Sequence, residues 1–293
     1  MKMNSKYDIF CKVIEMESFT KAAAYLKYSQ SAVSQTVKSL EQECGTILVN
    51  RKKDGITLTQ DGEQYLPYIQ EIANAEASLE QKKQEMLGLK NSTIRIGTFT
   101  SVSRNILPGL MKKFKEKYPS VNFVLLQGEY TSIEKWIKDG SIEFGFVNAD
   151  AVSDIELAVL YQDEMMAVLP LSHPLASKEQ IALSDLAKEP FILLDEGEYS
   201  LPMEAFAKAG LKPDIEYKVY DDYSILAMVR KGLGVSMMYR MVVEGFETGL
   251  HIKPIMEKAE RKVAIGWRNW ETMPLSARRF IEFLQKQNDI SKL

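Results

Sequence analysis

The sequence predicts an all-α winged helix-turn-helix head plus a long linker helix, followed by an α/β two-lobed body. Three observations predict it. Serine-headed segments with apolar residues at helical spacing fill residues 5–45. Thr59 then opens a stretch reaching about Leu87 that carries one narrow apolar seam. From Thr93 onward, short apolar strands alternate with amphipathic helices in two successive sets.

The 293 residues exceed one ordinary domain, and 45% hydrophobic with 26% charged residues is the balance of a soluble globular protein. Lys2 and Lys6 precede no apolar run, so no signal peptide is expected, and no stretch nears the roughly 18 apolar residues of a membrane span. Cys11 and Cys44 have no metal-ligand spacing and suit a reducing compartment. The expectation is a cytoplasmic protein with no membrane partner. Residues 1–60 hold nine Lys or Arg and six Asp or Glu, a net +3 within a chain of net −3. A basic head on an acidic body points to an anionic partner for the head.

The head is built in order. Ser5 caps a first helix, with Asp8 three residues on and Phe10, Val13 and Ile14 at helical spacing. Ser18 caps a second, whose Phe19, Ala22, Ala23 and Leu26 form a buried stripe that small alanines keep open to a close neighbour. Ser29 caps a third, which Gly45 ends in a left-handed conformation. On that third helix Val33, Val37, Leu40 and Cys44 share one face, while Ser31, Gln35, Lys38 and Gln42 lie opposite and Ser34 on the flank. The outward hydroxyls and amides match base edges in a DNA major groove, which admits a helix. A merely solvated face is the alternative, and the short preceding helix and tight turn favour a helix-turn-helix. In "TILVNRKKDGITLT", Ile47–Val49 and Ile56–Leu58 read as strands joined at Asp54-Gly55, a wing bearing Arg51, Lys52 and Lys53.

The order and spacing of Phe10, "SFTKAAAYL", "SQSAVSQ", "LEQECG", "LVNR" and "LTQDG" resemble the winged helix-turn-helix of the LysR-type transcriptional regulators. Ser31 stands where proline is usual in that family, and Val49 where phenylalanine is usual. Gln30, Ser31, Ser34, Gln35 and Lys38 are the base-facing candidates; Thr20, Lys21, Arg51, Lys52 and Lys53 are the candidates for phosphate. Paired heads imply double-stranded DNA with an interrupted palindrome as the operator.

On the linker, Tyr65, Ile69, Ile72, Leu79 and Met86 form a seam that Glu76 and Lys83 interrupt, and Pro67 should bend its first part. Such a stripe needs a partner, most simply its copy in a homodimer, or else its own domain. The resemblance implies a dimerising linker helix and a homotetramer built as a dimer of dimers. "GLKNST" follows as a hinge.

In the body, "TIRIG", "VNFVLLQ", "FGFV", "MMAVL", "FILL", "IEYKVY", "GVSMMY" and "KVAIGW" read as strands, with helices at 106–118, 133–138, 201–209, 222–231 and 276–287. The alternation implies a parallel sheet with covered faces. "HPL" at 173–175, "LSDLAKEPFI" and "VRKGLGVSMM" resemble the family's effector-binding domain, which is periplasmic-binding-protein-like, with two lobes and two crossovers. Tyr239 stands where the family often has proline. The expected division is 1–59 DNA-binding, 60–88 linker, 89–92 hinge and 93–293 effector-binding. Within the last, lobe I is 93–162 with 262–290 and lobe II is 163–261.

A ligand in such folds sits where strand ends meet helix starts between lobes. Thr100, Ser101 and Ser103, with backbone N–H groups, are placed to hold a carboxylate; Gln127, Glu129, Asn148, Glu196, Asp222 and Ser224 lie at comparable strand ends. Singly, each of these residues also suits a cap or a solvated loop. The helix start favours an anion, whereas Glu129, Glu196 and Asp222 repel one. A zwitterion such as an amino acid reconciles the two.

No catalytic, metal or cofactor site is expected. His173 and His251 have no ligand partners at metal spacing, and "KGLG" lacks the three spaced glycines of a dinucleotide fingerprint. The family's peroxide-sensing mechanism needs effector-domain cysteines, which this chain lacks. Cys11, Cys44, Met237 and Met238 read as core. Two further classes compete with a regulator: an enzyme or small-molecule carrier with a regulatory head, told apart by turnover, and an architectural DNA binder, told apart by sequence-blind binding that no metabolite alters.

Overall fold

The computed structural model describes residues 4–52, 55–86 and 92–287. They form two compact units, one within residues 1–87 and one within 88–138 and 142–293.

In the first unit, α1 (Lys6–Met16), α2 (Phe19–Leu26) and α3 (Gln30–Cys44) each start on a serine. The Oγ atoms of Ser5, Ser18 and Ser29 accept from the N–H of Asp8, Lys21 and Ala32 at 3.2, 3.3 and 3.1 Å. Gly45 ends α3 at φ +70°. Phe10, Val13, Ala22, Val33 and Val37 are fully buried together. Full burial of a large aliphatic or aromatic side chain contributes about 1.5–3 kcal/mol. Cys11 and Cys44 pack at the edge of this core, and burial pushes the Cys11 thiol up to about 12.

The wing is an antiparallel hairpin of β1 (Val49–Lys52) and β2 (Gly55–Leu58), pairing Val49 with Leu58 and Lys52 with Gly55. The strand expected from Ile47 therefore starts two residues later. The N–H groups of Leu48 and Val49 donate to Glu41 Oε1 at 2.9 and 3.2 Å, and Leu48 O accepts from Thr59 N. These bonds tie the chain down before pairing begins, and Ile47 stays exposed.

Helix α4 (Gln60–Met86) has 27 residues, about 40 Å at 1.5 Å per residue. Thr59 Oγ1 caps it by accepting from Gly62 N at 2.9 Å. Gly62 has a packing reason: a Cβ there would lie 2.1 Å from Leu48 O. The expected seam is corrected at one position. Ile69 is buried in the head's own core, leaving Tyr65, Tyr68, Ile72 and Leu79 as the exposed apolar stripe. Lys53, Leu87 and the hinge residues Gly88 to Asn91 lie outside the described residues, as do the side chains of Lys52 and Met86.

The second unit has two cores. One gathers Ile94, Ile96, Phe114, Phe144, Phe146 and Phe280; the other gathers Val168, Phe191, Ile192, Phe206, Met237 and Met238. The chain runs β3 (Thr93–Thr98), α5 (Thr100–Asn105), α6 (Leu107–Lys117), β4 (Asn122–Gln127), α7 (Tyr130–Lys138) and β5 (Phe144–Asn148). Then β6 (Glu156–Pro170) leads to α8 (Leu183–Leu186), β7 (Pro190–Leu194), α9 (Leu201–Lys208), β8 (Asp214–Val219) and α10 (Asp222–Arg230). After β9 (Ser236–Tyr239), α11 (Arg240–Val243) and β10 (Leu250–Pro254), β11 (Glu260–Trp267) returns and α12 (Leu275–Gln285) follows.

The main sheet has the order β10-β6-β11-β5-β3-β4, with β9 also paired to β6. The all-parallel expectation is corrected. β3 is parallel to β4 and β5, and β7 to β8, but β11 is antiparallel to both β5 and β6. The reason is topological. β6 carries the chain from the first core to the second and β11 brings it back, so the two adjacent strands must run in opposite directions. The "MMAVL" segment is thus only the buried end of a 15-residue strand whose more exposed first part pairs with β11. β10, carrying His251 and Pro254, has little apolar alternation and was missed.

Candidate functional site

On α3 the apolar side faces the core while Gln30, Ser31, Gln35 and Lys38 are exposed; Ser34 is partly buried on the flank. Thr20 and Lys21, in the first turn of α2, are exposed too. Arg51 on the wing is exposed, donates from Nη2 to Ser34 Oγ at 3.1 Å and lies over the Phe19 ring at 4.6 Å. The structure therefore joins a base-facing candidate to a phosphate candidate: Ser34 holds the guanidinium in place. Ser31 Oγ lies 3.0 Å from Ser29 Oγ beside the cap.

In the second unit a cleft of about 310 Å³ opens between the two cores. Of the expected residues, Thr100, Ser101, Gln127, Glu129, Glu196 and Asp222 line it. Ser103, Asn148 and Ser224 do not, which corrects the expectation for all three. Ser103 Oγ donates to Thr100 O at 3.0 Å. Asn148 Oδ1 accepts from the N–H of Asp150 and Lys262, each at 3.2 Å. Ser224 is exposed in the first turn of α10, its N–H donating to the capping Asp221 Oδ2 at 2.7 Å. Ser103 and Asn148 thus serve nearby backbone, Asn148 that of β11 as well, as short polar side chains at element ends often do.

The centre of the cleft is a residue that sequence reasoning missed. Arg261, at the start of β11, is 2% exposed. Its Nε and Nη2 donate to Asp163 Oδ2 at 3.1 and 2.6 Å, Nη1 to Tyr130 Oη at 3.0 Å and Nη2 to Ser101 Oγ at 2.7 Å. Its guanidinium carbon sits 3.6 Å from the Tyr239 ring centroid and 4.6 Å from that of Phe99. Such pairing and stacking is what a buried guanidinium requires. In the sequence Arg261 stands between Glu260 and Lys262 and reads as surface; Asp163 lies 98 residues away. Only the sheet register brings them together.

Around this pair the cleft is acidic. Glu196 accepts from Tyr239 Oη at 3.2 Å and Tyr130 Oη at 3.4 Å. Burial pushes its carboxyl up to about 7, against the opposing pull of Arg261 and Tyr239. Asp222 is buried and likewise raised by desolvation, which Arg261 and the Thr100 hydroxyl oppose. Thr100 Oγ1 also accepts from Gln127 Nε2 at 2.9 Å. Glu129 reaches Gly197, where a Cβ would meet its Oε2 at 2.2 Å. Among the described residues, no group of three or more His, Cys, Asp or Glu could hold a metal, and no helix is long and apolar enough to cross a membrane.

Residues 5–63 match the model of the bacterial regulatory helix-turn-helix proteins of the lysR family, and residues 88–289 that of the LysR substrate binding domain. Relatives from Bacillus subtilis include the HTH-type transcriptional regulator YvbU, 32% identical with 95% of this chain and 96% of that protein covered. The transcriptional dual regulator GltC is 29% identical, with 94% of each covered. Among solved structures, HinK, a LysR family transcriptional regulator from Pseudomonas aeruginosa, is 27% identical with a TM-score of 0.60 over 96% of this chain and 97% of that one. Full-length CbnR complexed with its target DNA shares the fold, at 21% identity and a TM-score of 0.71 over 96% and 98%. With both parts matched in order along nearly its whole length, the chain belongs to the LysR family and is a transcriptional regulator with a DNA-binding helix-turn-helix and an effector-binding domain.

Proposed function

We propose that α3 enters a DNA major groove and reads bases through Gln30, Ser31, Gln35 and Lys38, while Thr20, Lys21 and Arg51 meet phosphates. The carrying observation is the two-sidedness of α3. Its apolar face is spent in the head's core, and its amide and hydroxyl face is exposed beside an arginine held by Ser34. Amides and hydroxyls discriminate base edges, and cations supply the affinity for the backbone. Lys52 and Lys53, which follow Arg51 in the sequence, are further candidates for phosphate.

Two heads pair through α4. Tyr65, Tyr68, Ile72 and Leu79 recur along one exposed side, and an isolated helix with such a stripe is not stable in water. Paired heads read an interrupted palindrome, and two dimers make the tetramer. The effector binds in the cleft around Arg261 and changes the spacing of the heads.

In vitro selection of random DNA by the purified full-length protein tests this reading. A two-fold repeat with a fixed spacer is the expected product. Recovery of unrelated sequences with equal affinity would contradict it.

A further inference from the structure

The charge of the cleft bears on what it holds, given the reading of the cleft as the effector site. Four carboxylates line it, those of Glu129, Asp195, Glu196 and Asp222, and Arg261 is the single lining cation. Arg261 is already committed: Asp163 neutralises it, and Nε, Nη1 and Nη2 all donate within the protein. None of the four lining carboxylates forms an ion pair among the described residues. Their partners are neutral. Glu196 accepts from two tyrosines, Glu129 from Ser132 at 3.3 Å, and Asp222 bonds with the Thr100 hydroxyl. Hydroxyls solvate a carboxylate without cancelling its charge, although at Glu196 burial offsets part of that charge by raising the carboxyl to about 7.

An anionic ligand would have to displace Asp163 from Arg261 and still face this wall. The remaining feature in favour of an anion is weak. Helix α5 has only six residues, and the Ser101 hydroxyl already accepts from Arg261. A cation meets the opposite situation. Glu129 comes from one side of the cleft and Glu196 and Asp222 from the other, with exposed Tyr220 also in the lining. Two local contacts set these positions. Tyr239 Oη donates to Glu196, and Gly197, at φ +81°, leaves the room that Glu129 occupies.

We infer that the effector is a small molecule bearing a protonated amine, seated against Glu129, Glu196 and Asp222. A zwitterionic amino acid with a cationic side chain and a simple diamine both satisfy this chemistry, and a dicarboxylate does not. A buried carboxylate bonded to an ammonium group is a charge-assisted pair, and truncating one partner of it weakens binding by about tenfold or more.

The test is calorimetric titration of the full-length protein with putrescine, L-lysine and succinate, each repeated with Asp222→Asn and Glu129→Gln. Glu129 is only partly buried and bonded to Ser132 alone, so Glu129→Gln keeps the test open if Asp222→Asn fails to fold. Putrescine or L-lysine should bind and succinate should not, with a loss of about tenfold in either variant. Binding of succinate alone, abolished by Thr100→Val, would overturn the amine assignment while leaving the cleft as the effector site. Amine binding unchanged in both variants would place the amine elsewhere and overturn the assignment. Binding of none of the three would overturn it as well.

Discussion

Glu41 lies on α3, yet its carboxylate serves the segment that follows, accepting the N–H groups of Leu48 and Val49. One side chain thereby fixes where the wing leaves α3, the helix proposed to lie in the groove. Glu41→Ala strands two backbone donors and should destabilise the head by about 1–3 kcal/mol in urea denaturation. In the cleft, Glu196 makes a pH-dependent contribution. Arg261 on β11, Tyr239 on β9, Tyr130 on α7 and Asp222 on α10 face it, and burial dominates, raising its carboxyl to about 7. A raised carboxyl means that the folded state holds a proton the unfolded chain has released. Stability is therefore full below about pH 4.5 and falls as pH rises to about 7. Unfolding measured at about pH 5 and about pH 8 should show this loss in wild type and a smaller one in Glu196→Gln. At this scale the sequence made much legible. Caps and helix faces follow from local residue types, so Ser5, Ser18, Ser29 and Gly45 could be read directly. Arg261 could not, because a charged residue among charged neighbours carries no sign of a partner 98 positions away.

Among the elements, α4 shows most clearly what periodicity settles and what packing decides. A narrow stripe was visible, but the sequence alone could not assign Ile69 to the head rather than to a partner. Burial assigns it to the head and leaves Tyr65, Tyr68, Ile72 and Leu79 outward. Leu79 is 58% exposed, far from the head's core, so Leu79→Glu should leave the melting temperature of the head nearly unchanged. The same change should shift the protein toward monomer in sedimentation at micromolar concentration. Gly62→Ala should act oppositely, since its Cβ would strike Leu48 O at 2.1 Å. It should destabilise the head by about 1–3 kcal/mol or more, the scale of forced overpacking. The sheet marks the other limit of sequence reading. Strand positions were evident from apolar runs, whereas the direction of β11 was not, because antiparallel return through a second core is a property of the whole path. The first part of β6 also lies outside the expected strands, although it holds the apolar run Leu157–Tyr161; its pairing with β11 extends β6 back to Glu156.

In the whole molecule a DNA-binding head and an effector-binding body share one chain. With the cleft as the proposed effector site, binding there should change affinity for the operator by a coupling of about 1–3 kcal/mol, and DNA should change affinity for the ligand by the same factor. Which metabolite and which operator are involved is not written in any single residue; both are recognised by surfaces assembled from distant segments. The central claim is that the exposed face of α3 reads bases. Fluorescence anisotropy of Gln35→Ala on the selected operator and on random DNA tests it most directly. A loss of about 1–3 kcal/mol on the operator with little change on random DNA is expected. Equal losses on both, or none on either, would contradict it.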